Sequence, residues 1–124
     1  MMPELLDRTK KFALGVMRLC DSLPPGAVGW NLAKQLMRSG TSLGANYREA
    51  QRARSKAEFA SKVDISQQEA AETVYWLELV IEYGLVQGDT LQAARRLLGE
   101  AGELCLILSA ISKSSRASPE KKPH

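Results

Sequence analysis

The chain contains almost no histidine: His124, near the C-terminus, is the single one in 124 residues. Nucleophilic catalysis by a Ser–His or Cys–His pair therefore has no imidazole in the helical part of the chain. A carboxylate metal site in a helix bundle also lacks the Glu-x-x-His pairs that normally build it. Neither a Gly-x-Gly-x-x-Gly turn nor a phosphate loop ending in Gly-Lys-Ser/Thr is present. We therefore predict no catalytic residues, no metal, no cofactor and no small-molecule substrate.

Cysteines are scarce as well, and no apolar run approaches the ~20 residues that a membrane-spanning helix needs. Cys20 and Cys105 both fall inside apolar helical patterns. That placement predicts buried, reduced thiols rather than a disulfide. The first residues include two acids, Glu4 and Asp7, and lack the apolar stretch of a signal peptide. We expect a cytoplasmic protein that does not contact the membrane.

What the sequence has in abundance is helical periodicity. Before a proline–glycine break at residues 24–26, the inner row is spaced three and four apart, as in a packed helix. A second periodic segment runs from about 29 to 52, a third from 55 to 84, and a fourth begins at Asp89. The inner row of the first segment is Leu5, Thr9, Phe12, Val16 and Leu19. The inner row of the second is Leu32, Leu36, Leu43, Tyr47 and Ala50.

Local signals mark the ends of these segments. Ser55 and Glu58 match a capping box, which starts a helix, and Gly84 suits a left-handed C-cap, which ends one. Four amphipathic helices with short connections predict an all-α fold, an antiparallel up-down-up-down four-helix bundle over residues 1–113. Residues 114–124 lose the periodicity and are rich in Ser, Pro and Lys, which predicts a disordered basic tail.

Small and polar residues interrupt the second segment. Glycine is about 1 kcal/mol less favourable than alanine inside a helix, so Gly40 and Gly44 predict close helix approach or a local bend. Asparagine is a poor helix former unless its side chain has a structural role. We therefore predict a structural polar network between the second and third helices, the alternative being that its members face solvent. Its predicted members are Ser42, Asn46, Glu69 and Glu72.

The charge is unevenly distributed although the net charge is only +3. Seven basic residues stand against two acids between 34 and 62, and eight acids against two basic residues between 64 and 103. Such polarity can guide a polyanion to one region or pair neighbouring subunits. The basic cluster between the second and third helices could grip phosphates, the alternative being a solvated turn. The candidate nucleic-acid-binding residues are Arg48, Arg52, Arg54 and Lys56.

The apolar stripe of the third helix is wider than one packing seam requires. A wide stripe indicates either a thick core or a second surface that is buried against another subunit. We favour the second reading, in which further copies of the chain cover this surface. The candidate partners are therefore further copies of the chain and, for the basic cluster, RNA or DNA. The candidate oligomer-interface residues are Tyr75, Trp76 and Tyr83.

Two stretches resemble the hallmarks of a bacterial family. They are QLMRSGTSLGANYREA at residues 35–50 and QEAAETVYWLEL at residues 68–79. Proteins of this family are four-helix bundles first named for genes within intervening sequences of large-subunit (23S) ribosomal RNA. The residues that match its pattern are Ser42, Asn46, Glu49, Glu69, Glu72, Tyr75 and Trp76. Gly40 and Gly44 depart from it, which puts only the straightness of the second helix in doubt.

The resemblance implies an up-down-up-down bundle that forms homopentamers, without a known catalytic role. The chain is also distantly similar to the accessory variability protein of diversity-generating retroelements. That protein binds nucleic acid and a reverse transcriptase through a basic pentamer surface. The leading hypothesis is therefore a non-enzymatic homo-oligomer that contacts the RNA or DNA backbone. The alternative is a structural or protein-partner scaffold with no nucleic-acid role.

Overall fold

The structure, a computed structural model, describes residues 3–117 and is built of four α-helices. They are α1 (Pro3–Ser22), α2 (Ala27–Ala50), α3 (Lys56–Tyr83) and α4 (Gly88–Ala117). Each helix packs against the next in sequence, and α4 returns to α1. Within residues 3–117 the diagonal helices bring no Cα atoms within 8 Å of each other. This part of the chain contains no strand. The predicted up-down-up-down four-helix bundle is confirmed.

Both predicted ends of α3 are confirmed. The Ser55 side chain accepts a hydrogen bond from the backbone N–H of Glu58 at 3.1 Å, which satisfies a donor that the helix start leaves free. At the other end Gly84 adopts a left-handed φ of 87°, and its N–H donates to the carbonyl of Ile81. A glycine is needed there because a side chain disfavours this conformation.

The bounds of α4 differ from the prediction at both ends. Asp89, the predicted start, already lies in the first turn, because the helix begins at Gly88 and the Leu91 N–H donates to the carbonyl of Gln87. The helix also continues to Ala117, so the predicted start of the tail at residue 114 is wrong. Ser112 and Arg116 both hydrogen-bond to Asp64 of α3, which holds the last turns against the bundle. The remaining tail residues, 118–124, lie outside the described residues.

The predicted inner rows of α1 and α2 form a large part of the core. Every residue of the predicted rows of α1 and α2 is buried, and Tyr47 is the largest side chain enclosed. Burial raises the pKa of the Tyr47 hydroxyl above its ordinary value. Cys20 is buried as predicted, and desolvation raises the pKa of its thiol to about 11. Cys105 is half-buried, and both cysteines are free thiols.

The glycines of α2 allow α1 to approach closely. A Cβ at Gly40 would lie 2.8 Å from Cγ1 of Val16, and one at Gly44 would lie 3.1 Å from Oγ1 of Thr9. Both distances are shorter than ordinary van der Waals contact, so the missing side chains are a condition of this packing. The predicted close approach is confirmed.

Buried hydroxyl groups connect α2 to α3 inside the core. The Thr73 hydroxyl donates to Oγ of Ser39 at 2.8 Å, and the Ser66 hydroxyl donates to the carbonyl of Leu43 at 2.6 Å. Within residues 3–117 no buried side-chain nitrogen or oxygen lacks a hydrogen-bond partner. Since such bonds demand one geometry, they fix how α3 is seated along α2. None of the four helices, over their described length, is long and apolar enough to cross a membrane.

Candidate functional site

The turn between α2 and α3 is a compact, basic end of the bundle. After Ala50 the chain makes one more tight turn, in which the Arg52 N–H donates to the carbonyl of Glu49 at 3.0 Å. Because successive helices are antiparallel, this turn lies at the same end as the C-terminus of α4, with Lys113 and Arg116. We call this surface the basic end; its residues are Arg48, Arg52, Arg54, Lys56, Lys113 and Arg116.

The acids near the basic end are engaged by other groups. Glu49 pairs with Lys62 at 3.0 Å, and Glu58 accepts from the backbone N–H of Arg54 at 3.4 Å. The third acid, Asp64, accepts from Ser112 and pairs with Arg116. These three acids are thus engaged, and the side chains of the arginines of the turn form none of these contacts.

The three arginines of the turn are therefore available to an external anion. Arg48, Arg52 and Arg54 are exposed, and among the residues that the structure describes none of their side chains has an acidic partner. Lys56 differs, since its side chain is half-buried and has a partner within the chain. Guanidinium groups match phosphate oxygens bidentately, and no exposed aromatic ring lies among them for stacking on bases. The chemistry of the turn thus suits contact with phosphate groups rather than with bases.

The predicted polar network divides into two separate parts. Glu69 and Glu72 do belong to a network, because Arg38 of α2 pairs with both, at 3.3 Å from Glu69. Trp76 extends it by donating from Nε1 to Glu72 at 3.1 Å. This arrangement is an external clamp between α2 and α3, and Arg38 at its centre was missed by the sequence reading.

Ser42 and Asn46 are not hydrogen-bonded to that network. Asn46 donates from Nδ2 to the backbone carbonyl of Ser42 at 2.8 Å, within its own helix. The predicted link of these two residues to Glu69 and Glu72 is therefore wrong, because the amide finds an acceptor one turn earlier. Arg38 lies four residues before Ser42 and so on the same side of α2, which is the one signal that could have identified it.

An aromatic ridge runs along the outer side of α3. Tyr75 is 54% exposed and Tyr83 is 67% exposed, although both carry large apolar rings. Trp76 is half-buried, and its ring packs edge-on against that of Tyr75 with centroids 5.1 Å apart. Half-buried Leu79 lies between the two tyrosines in sequence and lines a shallow groove with Tyr83 and Val28. We call Tyr75, Leu79 and Tyr83 the α3 ridge.

Outside the α3 ridge, the two most exposed large apolar side chains of the described residues were not predicted. Trp30 of α2 is 68% exposed and Leu106 of α4 is 73% exposed. Neither lies on the α3 ridge, and within residues 3–117 no group of three or more His, Cys, Asp or Glu residues is arranged to hold a metal ion. The features that remain as candidates for function are the basic end and the outer apolar surfaces.

Comparisons with known proteins agree with this architecture. A family model described as 23S rRNA-intervening sequence protein matches residues 4–109. A crystal structure of a Bacteroides thetaiotaomicron protein of unknown function, from the S23 ribosomal protein family, is similar with a TM-score of 0.75 and 34% sequence identity. The similarity covers 87% of this chain and 97% of that one. A search of curated proteins finds no match.

Proposed function

The chain belongs to the family of 23S rRNA-intervening sequence proteins, and from this premise we propose a non-enzymatic homo-oligomer that contacts the RNA or DNA backbone through its basic end. The observation that carries the proposal is the set of three exposed arginines, Arg48, Arg52 and Arg54, without acidic partners in the described chain. We also propose a cytoplasmic location, because two free thiols suit a reducing compartment.

Salt dependence is the property that tests backbone contact. A protein that neutralises phosphates releases counterions, so the logarithm of its affinity falls linearly with the logarithm of salt concentration, by about 0.9 per contact on duplex DNA. We expect binding to structured RNA and to duplex DNA at low salt, with little preference between sequences. Absence of binding at low salt, or binding that is indifferent to salt, would rule the proposal out.

A triple variant assigns the contact to the turn. Arg48→Gln/Arg52→Gln/Arg54→Gln removes three charges, so the salt slope should fall by about 2 to 3 and the low-salt affinity by at least tenfold. The matched control is Lys10→Gln/Lys34→Gln/Arg95→Gln, which removes the same charge from exposed positions outside the turn. An equal loss in both variants would show a response to net charge alone.

Self-association is proposed from the α3 ridge. Exposed tyrosine rings of this size, lined up on one helix, are typical of a surface that another protein covers. We propose that further copies of the chain cover it, and that the assembly has five copies as the resemblance implies. Sedimentation equilibrium against the 13.6 kDa subunit mass measures the number of copies.

The alternative role is a scaffold in which the basic turn pairs with the acidic part of α3 in a neighbouring copy. The exposed carboxylates of Glu78 and Glu82 make that pairing electrostatically feasible. In this case Arg48→Glu/Arg52→Glu would break the assembly and leave nucleic-acid assays unchanged. Loss of nucleic-acid binding with an intact assembly would instead favour the first proposal.

A further inference from the structure

The seam between α1 and α4 is an open groove of about 670 Å³. Its floor is apolar, and in the middle Leu97 of α4 lies against Gly15 of α1, where a Cβ would be 3.0 Å from Cδ2 of Leu97. Small Ala93 widens the α4 side. The remaining apolar lining residues are Phe12 and Leu19.

One end of the groove is closed and the other is open. Arg8 of α1 reaches across to Glu100 of α4 in two hydrogen bonds of 2.6 and 2.7 Å, and these bonds raise the pKa of Arg8. Beyond this bridge the groove continues to Ser22 and Asp89, where α1 ends and α4 begins. Its open part therefore lies in the half of the bundle away from the basic end.

Two arginines flank the open part. Arg18 lines it from α1 and Arg96 lines it from α4. Both are exposed, and neither has an acidic partner in residues 3–117. Asp89 lines the same part from the first turn of α4, so the two arginines outnumber the acid there and the open part is basic on balance. An apolar floor with an excess of cations favours an occupant that is apolar in the middle and acidic at its side.

The α3 ridge has these properties. Tyr75, Leu79 and Tyr83 are four residues apart, so they lie on one side of the helix over about 12 Å. Glu78 and Glu82 are exposed beside the ridge, and neither has a partner in the described chain. The ridge occupies the last turns of α3, which also lie away from the basic end. Ridge and open groove are thus at the same height on opposite sides of the bundle.

We propose that the α1–α4 groove is the receiving half of an interface between copies of this chain and takes the α3 ridge of a second copy. In this contact Arg18 and Arg96 face Glu78 and Glu82 of the second copy. The inference rests on the self-association proposed above and specifies its two surfaces.

Charge favours this pairing over a symmetric one. Ridge against ridge would oppose Glu78 and Glu82 to themselves, and groove against groove would oppose the two arginines; like charges across an interface are unfavourable. A contact between two different surfaces is heterologous, so each copy has one ridge and one groove to offer. Such an assembly closes into a ring or extends as a filament. Every basic end lies on the same side of it when the bundles join parallel.

Charge reversal tests the pairing directly. We expect Arg18→Glu/Arg96→Glu and Glu78→Arg/Glu82→Arg each to weaken the association by at least about tenfold, because each brings like charges together. The chain carrying all four substitutions should regain the wild-type mass, since the charges are complementary again. The matched control is Lys10→Glu/Arg95→Glu, which makes the same charge change outside the groove and should keep the wild-type mass.

Four outcomes overturn the inference, and they are distinguishable. A monomeric wild-type protein contradicts self-association itself, and this inference with it. An oligomeric wild type whose mass is unchanged by Arg18→Glu/Arg96→Glu contradicts the groove alone. Failure of the fourfold variant to reassemble, with helical circular dichroism intact, contradicts the charge pairing. Should a charge-reversed chain not fold, Ala93→Trp fills the groove without a charge change; a wild-type mass for this folded variant also refutes the proposal.

Discussion

At position 40 the backbone of α2 lies against Val16 with no room for a methyl group. We expect Gly40→Ala to lower the free energy of unfolding by about 1 to 3 kcal/mol, because its Cβ would lie 2.8 Å from Cγ1 and 2.9 Å from Cγ2 of Val16. Val16 is branched at Cβ and has little freedom to turn away. Urea denaturation followed by circular dichroism measures the change.

Glycines of α4 provide the control for this prediction. A Cβ at Gly99 or Gly102 would meet no atom within 4 Å, and both residues lie in the helix interior. Gly99→Ala should therefore raise the free energy of unfolding by roughly 0.5 to 1 kcal/mol, through helix propensity alone. Equal effects of Gly40→Ala and Gly99→Ala would contradict the close approach of α1 and α2.

The buried thiol of Cys20 makes stability depend on pH in the alkaline range. Its pKa is raised from 9.0 to about 11 by desolvation, so the folded state keeps a proton that the unfolded chain releases above pH 9. The resulting stabilisation is complete below about pH 9 and is lost as pH rises toward 11. We expect the free energy of unfolding to fall across this range, and less steeply in Cys20→Ala.

Thiol reactivity gives an independent check on Cys20. The thiolate is the reactive form, so a buried thiol with a raised pKa reacts slowly at neutral pH. Half-buried Cys105 should be alkylated first, and Cys20 only as fast as the protein opens. Equal rates in the native protein would mean that Cys20 is accessible, and the pH dependence would lose its cause.

At the scale of the helices, what could be predicted depended on whether the signal was local. Both ends of α3 follow from residues at those ends, Ser55 and Gly84, whose capping geometry needs no knowledge of the rest of the fold. The end of α4 does not, because it is fixed by Asp64, which precedes Ser112 by 48 residues. A polar, serine-rich composition at residues 112–117 indicates a loop until that carboxylate is placed beside it.

The last turns of α4 should come loose when Asp64 is removed. Asp64→Ala takes away the acceptor of both Ser112 and Arg116, so we expect faster amide hydrogen exchange at residues 112–117. The global free energy of unfolding should change by about 1 kcal/mol or less, since the pair is largely exposed. Glu49→Ala removes another surface ion pair, that with Lys62, and should leave the exchange of α4 unchanged.

The candidate site was less accessible to sequence reasoning than the fold. Arg48, Arg52 and Arg54 were identified because charges at a helix junction remain exposed in almost any packing. Arg38 was missed because a long side chain that crosses to the next helix leaves no periodic signal. Trp30 and Leu106 were missed because a wide apolar stripe does not show which of its members lies outside the core.

At the scale of the whole molecule, the important feature is that the three candidate surfaces are separate from one another. The basic end lies at one end of the bundle, whereas the α3 ridge and the α1–α4 groove lie on opposite sides in the other half. The contact between copies proposed here would therefore leave Arg48, Arg52 and Arg54 of each copy uncovered. If ridge and groove join with the bundles parallel, the arginine turns form one continuous cationic rim.

This rim would make binding to a long polyanion depend on assembly. Linked sites bind the same strand with an effective concentration far above that of free monomers, which can strengthen binding by about 10² or more. Ala93→Trp is suited to the test because it blocks the groove and leaves every charge in place. We expect this variant to bind a long RNA more weakly and with a smaller salt slope. Its binding of a short oligonucleotide, which reaches the α2–α3 turn of only one copy, should stay as in the wild type.

Two controls separate this effect from loss of structure or of charge. Circular dichroism of Ala93→Trp should match the wild type, and Gly99→Ala, also on α4 but outside the groove, should keep both the mass and the salt slope. The slope is the decisive quantity, because it counts the phosphates neutralised at once. If Ala93→Trp were monomeric and yet kept the wild-type slope on long RNA, each copy would bind alone and the common rim would have no part in recognition.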